Sequence, residues 1–219
     1  MKPDRFSVPA DDYITFAKNY GKQVRQWDGL DLTVTARPRP GLSFQGGTST
    51  GRTTNDNCDI VDDMPEISVR LNTPDQYCRQ VSKFLTEFKM LGTYTVPRVD
   101  LQVAATVQSV PGPQILANWV ATNAAVQPAL GRPLSGSAAN MTVGIVEPGT
   151  MYGDRSNQLQ LRIAKILRFG GRRATASVDV YNVLNSDTVL LVSPAFATWQ
   201  RPESIPNPRW AKIVLQYDF

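Results

Sequence analysis

Few residues in this chain have the type and spacing to do chemistry. Gly46–Thr53 (GGTSTGRT) imitates the phosphate-binding pattern G-x-x-x-x-G-K-[ST], with Arg52 in the lysine position. That chemistry needs a helix directly after the loop, so that its N-terminal N–H groups hold phosphate. The following Thr-Asn-Asp-Asn-Cys-Asp reads as loop, so the expectation is a Gly- and Thr-rich strand end. Asp56, Asp59, Asp62, Asp63 and Glu66 offer carboxylate oxygens of the kind calcium takes. They lack the D-x-D-x-D-G spacing and read as a solvated acidic loop, so no metal ligand is assigned. Asp62 and Glu66 also make a carboxylate pair for hydrolysis, although no spacing singles them out. The chain has no histidine, which removes imidazole acid–base chemistry and histidine metal ligands together. No catalytic residue and no cofactor is expected.

Cys58 and Cys78 are the only cysteines. Their spacing suits neither a C-x-x-C redox pair nor a zinc site. In an oxidising envelope two loop cysteines pair, and closing a loop of about 20 residues contributes roughly 3 kcal/mol. Arg168, Arg172 and Arg173 surround Gly170-Gly171 and read as a positive hairpin turn rather than a nucleic-acid patch. The net charge of +4 is mild and gives nucleic acid little support. Trp199, Trp210, Tyr152 and Tyr217 suit interfacial aromatic girdles, with stacking platforms for a sugar as the rival reading.

The elements that must position these residues are strands. Leu30, Leu32, Val34 and Ala36 alternate with polar neighbours, as do Leu42 and Phe44 after the turn 38–41. The same period runs through Phe88, Met90, Tyr94 and Val96, and after Pro97-Arg98 through Val99, Leu101, Val103, Ala105 and Val107. Leu159, Leu161 and Ile163, then Val178 and Val180, continue it; about seven strands are expected in all. The stretch Asp75–Leu85 suits a helical turn or two. Short turns near 38–41, 97–98 and 169–173 alternate with long segments near 53–82, 111–155 and 186–207. That asymmetry is the plan of an outer-membrane barrel, with tight periplasmic turns and long outside loops. Lys165 and Asn182 interrupt apolar faces, which a bulge would repair, or Lys165 snorkels at an interface. Mean hydropathy is −0.25, and no window reaches the ~18 apolar residues a membrane helix needs. Met1–Tyr13 does not have the form of a signal peptide, so a barrel reading makes this chain the C-terminal part of something longer.

The last strand is the most telling. Ile213, Leu215, Tyr217 and Phe219 share a face with Ala211, opposite Lys212, Val214, Gln216 and Asp218. This ending resembles the signal that outer-membrane barrel-assembly machinery recognises. The penultimate strand, ASVDVYNVLNSDTV, carries Tyr181, Asn182, Leu184 and Asn185 in an aromatic-Asn-apolar-Asn ending. Together with NQLQLRIAKILRFGG, RWAKIVLQYDF, LSFQGGTSTGRTTNDNC and LGRPLSGSAANMTVGIVEPGTMYGDR, it resembles the C-terminal barrel strands of TonB-dependent outer-membrane receptors, within a large, loop-rich subgroup. The likeness covers roughly residues 25–219 and is most specific over the last 65.

That resemblance implies a barrel of about 22 strands around an N-terminal plug, located in the cell outer membrane. It also implies energised uptake of scarce, bulky ligands through TonB, which contacts the plug missing here. The expected organisation is a lead-in at 1–25 followed by C-terminal barrel strands at 26–219. The expected fold is an all-β antiparallel meander forming part of a transmembrane β-barrel. Its expected partners are outer-membrane lipid, the barrel-assembly machinery and a ligand of unknown identity, with no nucleic acid. The ligand would meet the long segments. The rival readings are a secreted soluble β-sandwich that binds glycans and the carboxylate hydrolase above.

Overall fold

The alternation of apolar and polar side chains becomes one antiparallel sheet in a computed structural model, which describes residues 15–64, 75–134 and 138–218. β1 (Val24–Arg39) and β2 (Leu42–Asp56) form the first hairpin. After α1 (Cys58–Asp63), the short β3 (Arg79–Val81) pairs with the far end of β2. β4 (Leu85–Val96) returns along β2 and turns into β5 (Leu101–Val110). The next connection holds β6 (Asn118–Thr122), α2 (Asn123–Leu130) and β7 (Asn140–Gly144). β8 (Ser156–Phe169) then pairs with β5, and β9 (Arg172–Tyr181) with β8. A small hairpin, β10 (Leu191–Val192) and β11 (Pro202–Ser204), precedes β12 (Trp210–Asp218), which pairs with β9.

The main order is β1-β2-β4-β5-β8-β9-β12, so each of the seven principal strands after the first pairs with its predecessor in the meander. Among the described residues the sheet does not close into a barrel: β1 and β12 are each paired on one side only. The principal strands run from 9 to 16 residues, longer than the five or six usual in globular sheets.

The pairing register puts the alternating apolar residues on one face. Ile213 lies opposite Val178, Val178 opposite Ile163, Ile163 opposite Val103, Val103 opposite Tyr94, and Tyr94 opposite Leu42. This face is exposed, with Ile213 82% and Leu215 76% accessible. The other face is mostly polar, interrupted by Leu91, Ile166 and Val214, and parts of it are buried: Ser177 and Asp179 are 3% and 7% accessible. A soluble sheet has the opposite polarity, with apolar groups inward. Among the described residues no large side chain is fully buried.

Several expectations change in detail. Lys165 needs no bulge, because β8 keeps unbroken register with β5 and β9 on both sides of it. Its side chain stays on the apolar face and its amine donates to the Val99 carbonyl at the adjacent turn. Val99 itself belongs to the turn 97–100, where Arg98 and Asp100 take positive φ. Asn182 lies just past β9 rather than inside a bulged strand. The helical expectation at Asp75–Leu85 reduces to a 3-10 turn at Asp75–Tyr77, because β3 and β4 take the rest. β1 begins at Val24, and the lead-in ahead of it contains a 3-10 turn, Ala17–Asn19. Its first fourteen residues lie outside the described residues, as does Phe219.

Candidate functional site

All three long connections leave the same end of the sheet, and they fold onto one another. Much of the buried apolar matter lies here, in Ile60 and Val61 of α1 and in Ile115, Ala117 and Ala121 of the middle connection. The first connection is tied by the Cys58–Cys78 disulfide, with a Cα separation of 4.8 Å, and by Asn57 N–H donating to the Cys78 carbonyl at 3.0 Å. The lead-in is held against it by Lys22 N–H on Asp59 Oδ2 at 3.3 Å.

Backbone groups join the first connection to the second. Gln76 Nε2 donates to the Gly144 carbonyl at 2.8 Å, and Lys83 N–H to that of Gly149 at 3.2 Å. Gly149 has φ of +83 and sits so close to the Val81 carbonyl that a side chain would collide. Tyr152 shares a hydrogen bond with Ser82; burial raises its phenol above the ordinary value, against the lowering effect of that bond.

The second connection is joined to the third in the same way. Asn118 N–H donates to the Pro194 carbonyl at 2.7 Å beside a parallel bridge between Asn118 and Ala195. Trp199 Nε1 donates to the Leu116 carbonyl at 3.1 Å. These bonds satisfy backbone groups that loops normally leave to water. The result is a structured cap over one end of the sheet.

Asn182 and Asn185 close the mouth of the third connection. Asn182 has φ of 47, and Asn185 of 52, in the left-handed region that asparagine tolerates better than most residues. Asn182 Nδ2 donates to the Ser186 and Asn207 carbonyls, and its Oδ1 accepts from Ser186 N–H. Asn185 Oδ1 accepts from Arg209 N–H at 3.0 Å. The two residues bring the loop ends together, so that β12 starts opposite the end of β9.

Among the described residues the polar face carries two ion pairs in the strands, Lys89 to Glu87 at 2.8 Å within β4 and Arg162 to Asp179 at 3.3 Å between β8 and β9. Lys212 is the register partner of Asp179 on its other side. Asp179 Oδ1, Ser177 Oγ and Ser156 Oγ are buried without a hydrogen-bond partner. On the same face Trp27 lies against Gly29 and Gly51, register partners whose bare backbones leave room for the indole.

The other sequence candidates are dispersed. Gly46–Thr53 is extended strand within β2, with Thr48 donating to the Glu87 carbonyl at 2.9 Å; the helix a phosphate loop needs is missing there. Asp56 pairs loosely with Arg79 at 3.8 Å, and Asp59 holds the lead-in. Asp62 and Asp63 end α1, while Glu66 lies outside the described residues. Among the described residues no cluster of three metal-ligating side chains forms. Of the four girdle aromatics, Tyr217 lies on the apolar face and stacks on Phe169 at 6.3 Å. Trp210 faces the polar side and stacks on Tyr181 at 4.2 Å. Tyr152 and Trp199 belong to the cap.

Sequence reasoning missed α2, β6, β7, β10 and β11, which stabilise the cap from within. Pro128 inside α2 masks its helical period. No helix among the described residues is long and apolar enough to cross a membrane. Comparison with protein-family models, curated proteins and solved structures gave no match.

Proposed function

We propose that this chain is a C-terminal part of the wall of an outer-membrane β-barrel of the TonB-dependent receptor type. Its capped end faces outward and contributes to ligand recognition during energised uptake. The observation that carries this reading is the reversed polarity of the sheet, with Ile213, Leu215, Val178 and Ile163 exposed on one face and Ser177 and Asp179 buried on the other. Such a face suits hydrocarbon, and its opposite suits a polar lumen. The strand lengths support the reading, because about 9–11 tilted residues cross a bilayer. So does the contrast between short turns at one end and folded connections at the other.

In this setting the last strand, through Ile213, Leu215, Tyr217 and Phe219, serves as the assembly signal. The open edges at β1 and β12 are covered by further strands of the complete barrel, since lipid tolerates no unpaired backbone. The soluble glycan-binding sandwich needs a second sheet over the apolar face. The small sheets β6–β7 and β10–β11 lie in the cap instead, which disfavours that rival.

The test is fractionation of the source cell with an antibody to the peptide Trp210–Phe219. A band in the outer-membrane fraction, heavier than 24.2 kDa, is the expected result. A water-soluble band at 24.2 kDa would overturn the reading.

A further inference from the structure

The end of the sheet opposite the cap has its own chemistry. Every short turn there carries arginine: Arg37 and Arg39 at the first, Arg98 at the second, and Arg168, Arg172 and Arg173 at the third. Lys165 adds a seventh cation, and all seven are exposed. Among the described residues only two side-chain carboxylates, Asp100 and Asp218, share this rim. The excess of cations exceeds the net charge of +4 of the whole chain. The cap and the strands together are therefore close to neutral.

Among the described residues most of these cations form no ion pair. Arg168 pairs with Asp100 at 3.1 Å, and Arg39 lies over the Tyr94 ring at 4.8 Å. Among the described residues Arg37, Arg98, Arg172 and Arg173 form no ion pair. The rim is also continuous with the exposed apolar face. Lys165 is flanked on that face by Leu101 and Ala176, its register partners, and the Phe169–Tyr217 stack lies just beyond it. Cations above an apolar band, with aromatic rings at the same level, match the order of a bilayer from headgroup to hydrocarbon.

We infer that the short-turn rim is a docking surface for anionic phospholipid headgroups in the leaflet it reaches. Arg37, Arg98, Arg172 and Arg173 make the phosphate contacts, and Lys165 marks the boundary with hydrocarbon. Guanidinium groups suit this role, because they pair with phosphate oxygens through two parallel hydrogen bonds. The inference rests on the membrane-wall reading, and its test separates the two.

The full-length protein that contains this chain is diluted from denaturant into vesicles of phosphatidylcholine, or of phosphatidylcholine enriched in phosphatidylglycerol, and bound protein is separated by flotation. Binding to both, with affinity on the order of tenfold higher for the anionic vesicles, is expected. Salt at about 0.5 M should remove the difference, since the screening length then falls to a few ångström. The triple variant Arg98→Gln, Arg172→Gln, Arg173→Gln should lose the preference and keep binding to phosphatidylcholine. A control triple at the capped end, Lys22→Gln, Arg25→Gln, Arg201→Gln, should keep both.

Equal binding to the two vesicles by the unaltered chain overturns the rim and leaves the wall reading intact. Equal loss of preference in both triples also overturns it, because total charge would then explain the effect. Binding confined to anionic vesicles sustains the rim and overturns the wall. Binding to neither overturns both.

Discussion

Asn182 reaches across the mouth of the last long connection to the Asn207 carbonyl, 25 residues further along the chain, at 2.9 Å. The same side chain holds Ser186 through two more bonds, at 2.9 and 2.8 Å. One residue in a left-handed backbone conformation thus fixes both ends of the segment that precedes β12.

Asn182→Ala removes three hydrogen bonds and adds strain at positive φ, costing about 2–4 kcal/mol. Asn182→Gly relieves the strain and loses the same bonds, so it should fall between the two. Thermal denaturation ranks the three proteins, and limited proteolysis should show new cleavage within 186–207 in the alanine variant. Equal stability of Asn182→Ala and the unaltered chain would remove the residue from its assigned role.

Ile213 and Lys212 test the polarity of the sheet. Ile213→Arg puts a charge on the apolar face, at a cost of about 2–4 kcal/mol if that position lies near the bilayer midplane. Lys212→Gln changes the opposite face without setting a like charge against its register partner Asp179, and should leave insertion within a few-fold of normal. Membrane-inserted yield in the full-length protein is the measurement. Equal yields for the two variants would mean that the apolar face does not meet lipid.

The disulfide should act on the cap and not on the sheet. Breaking Cys58–Cys78 by the double variant Cys58→Ser, Cys78→Ser frees a loop of about 20 residues and costs roughly 3 kcal/mol at most. Hydrogen exchange at Asn57, Ile60 and Val61, whose N–H groups are bonded within the first connection, should accelerate. Exchange in β8 and β9 should not. Acceleration spread evenly over both regions would show that cap and sheet unfold as one unit.

Tyr152 gives the cap an alkaline limit. Burial holds its phenol above the ordinary value of 10.0, so the folded state binds that proton more tightly than the unfolded state. This contribution is complete below about pH 10 and is lost as pH rises through the folded value. Tyr152→Phe should remove this part of the alkaline loss while giving up the Ser82 hydrogen bond at neutral pH. Denaturation followed from pH 8 upward measures both; an unchanged alkaline slope would remove Tyr152 from this account.

The sheet was legible in the sequence because its signal is local. Each strand declares its faces every second residue, and Leu30–Ala36, Phe88–Val96 and Ala211–Tyr217 all fall on the same side of one sheet. The turns were legible for the same reason, since Gly41, Gly170 and Gly171 take the positive φ that such turns need. The cap was not legible. It is built from backbone bonds such as Asn118 to Pro194 and Lys83 to Gly149, which leave no periodic trace in side-chain type. The aromatic residues misled in part, because Trp210 and Tyr217 are seven positions apart and odd spacing sends them to opposite faces. Asn182 appeared as a break in an apolar pattern, and its place just beyond the strand explains the break.

Five principal strands separate β1 from β12 in the meander, so the two open edges run in the same direction. A ring made by laying β12 directly on β1 would contain a parallel seam, within one chain or between copies related by rotation. Every other principal pairing is antiparallel. An enclosure with antiparallel neighbours throughout therefore needs an odd number of further strands between these edges, and an even total.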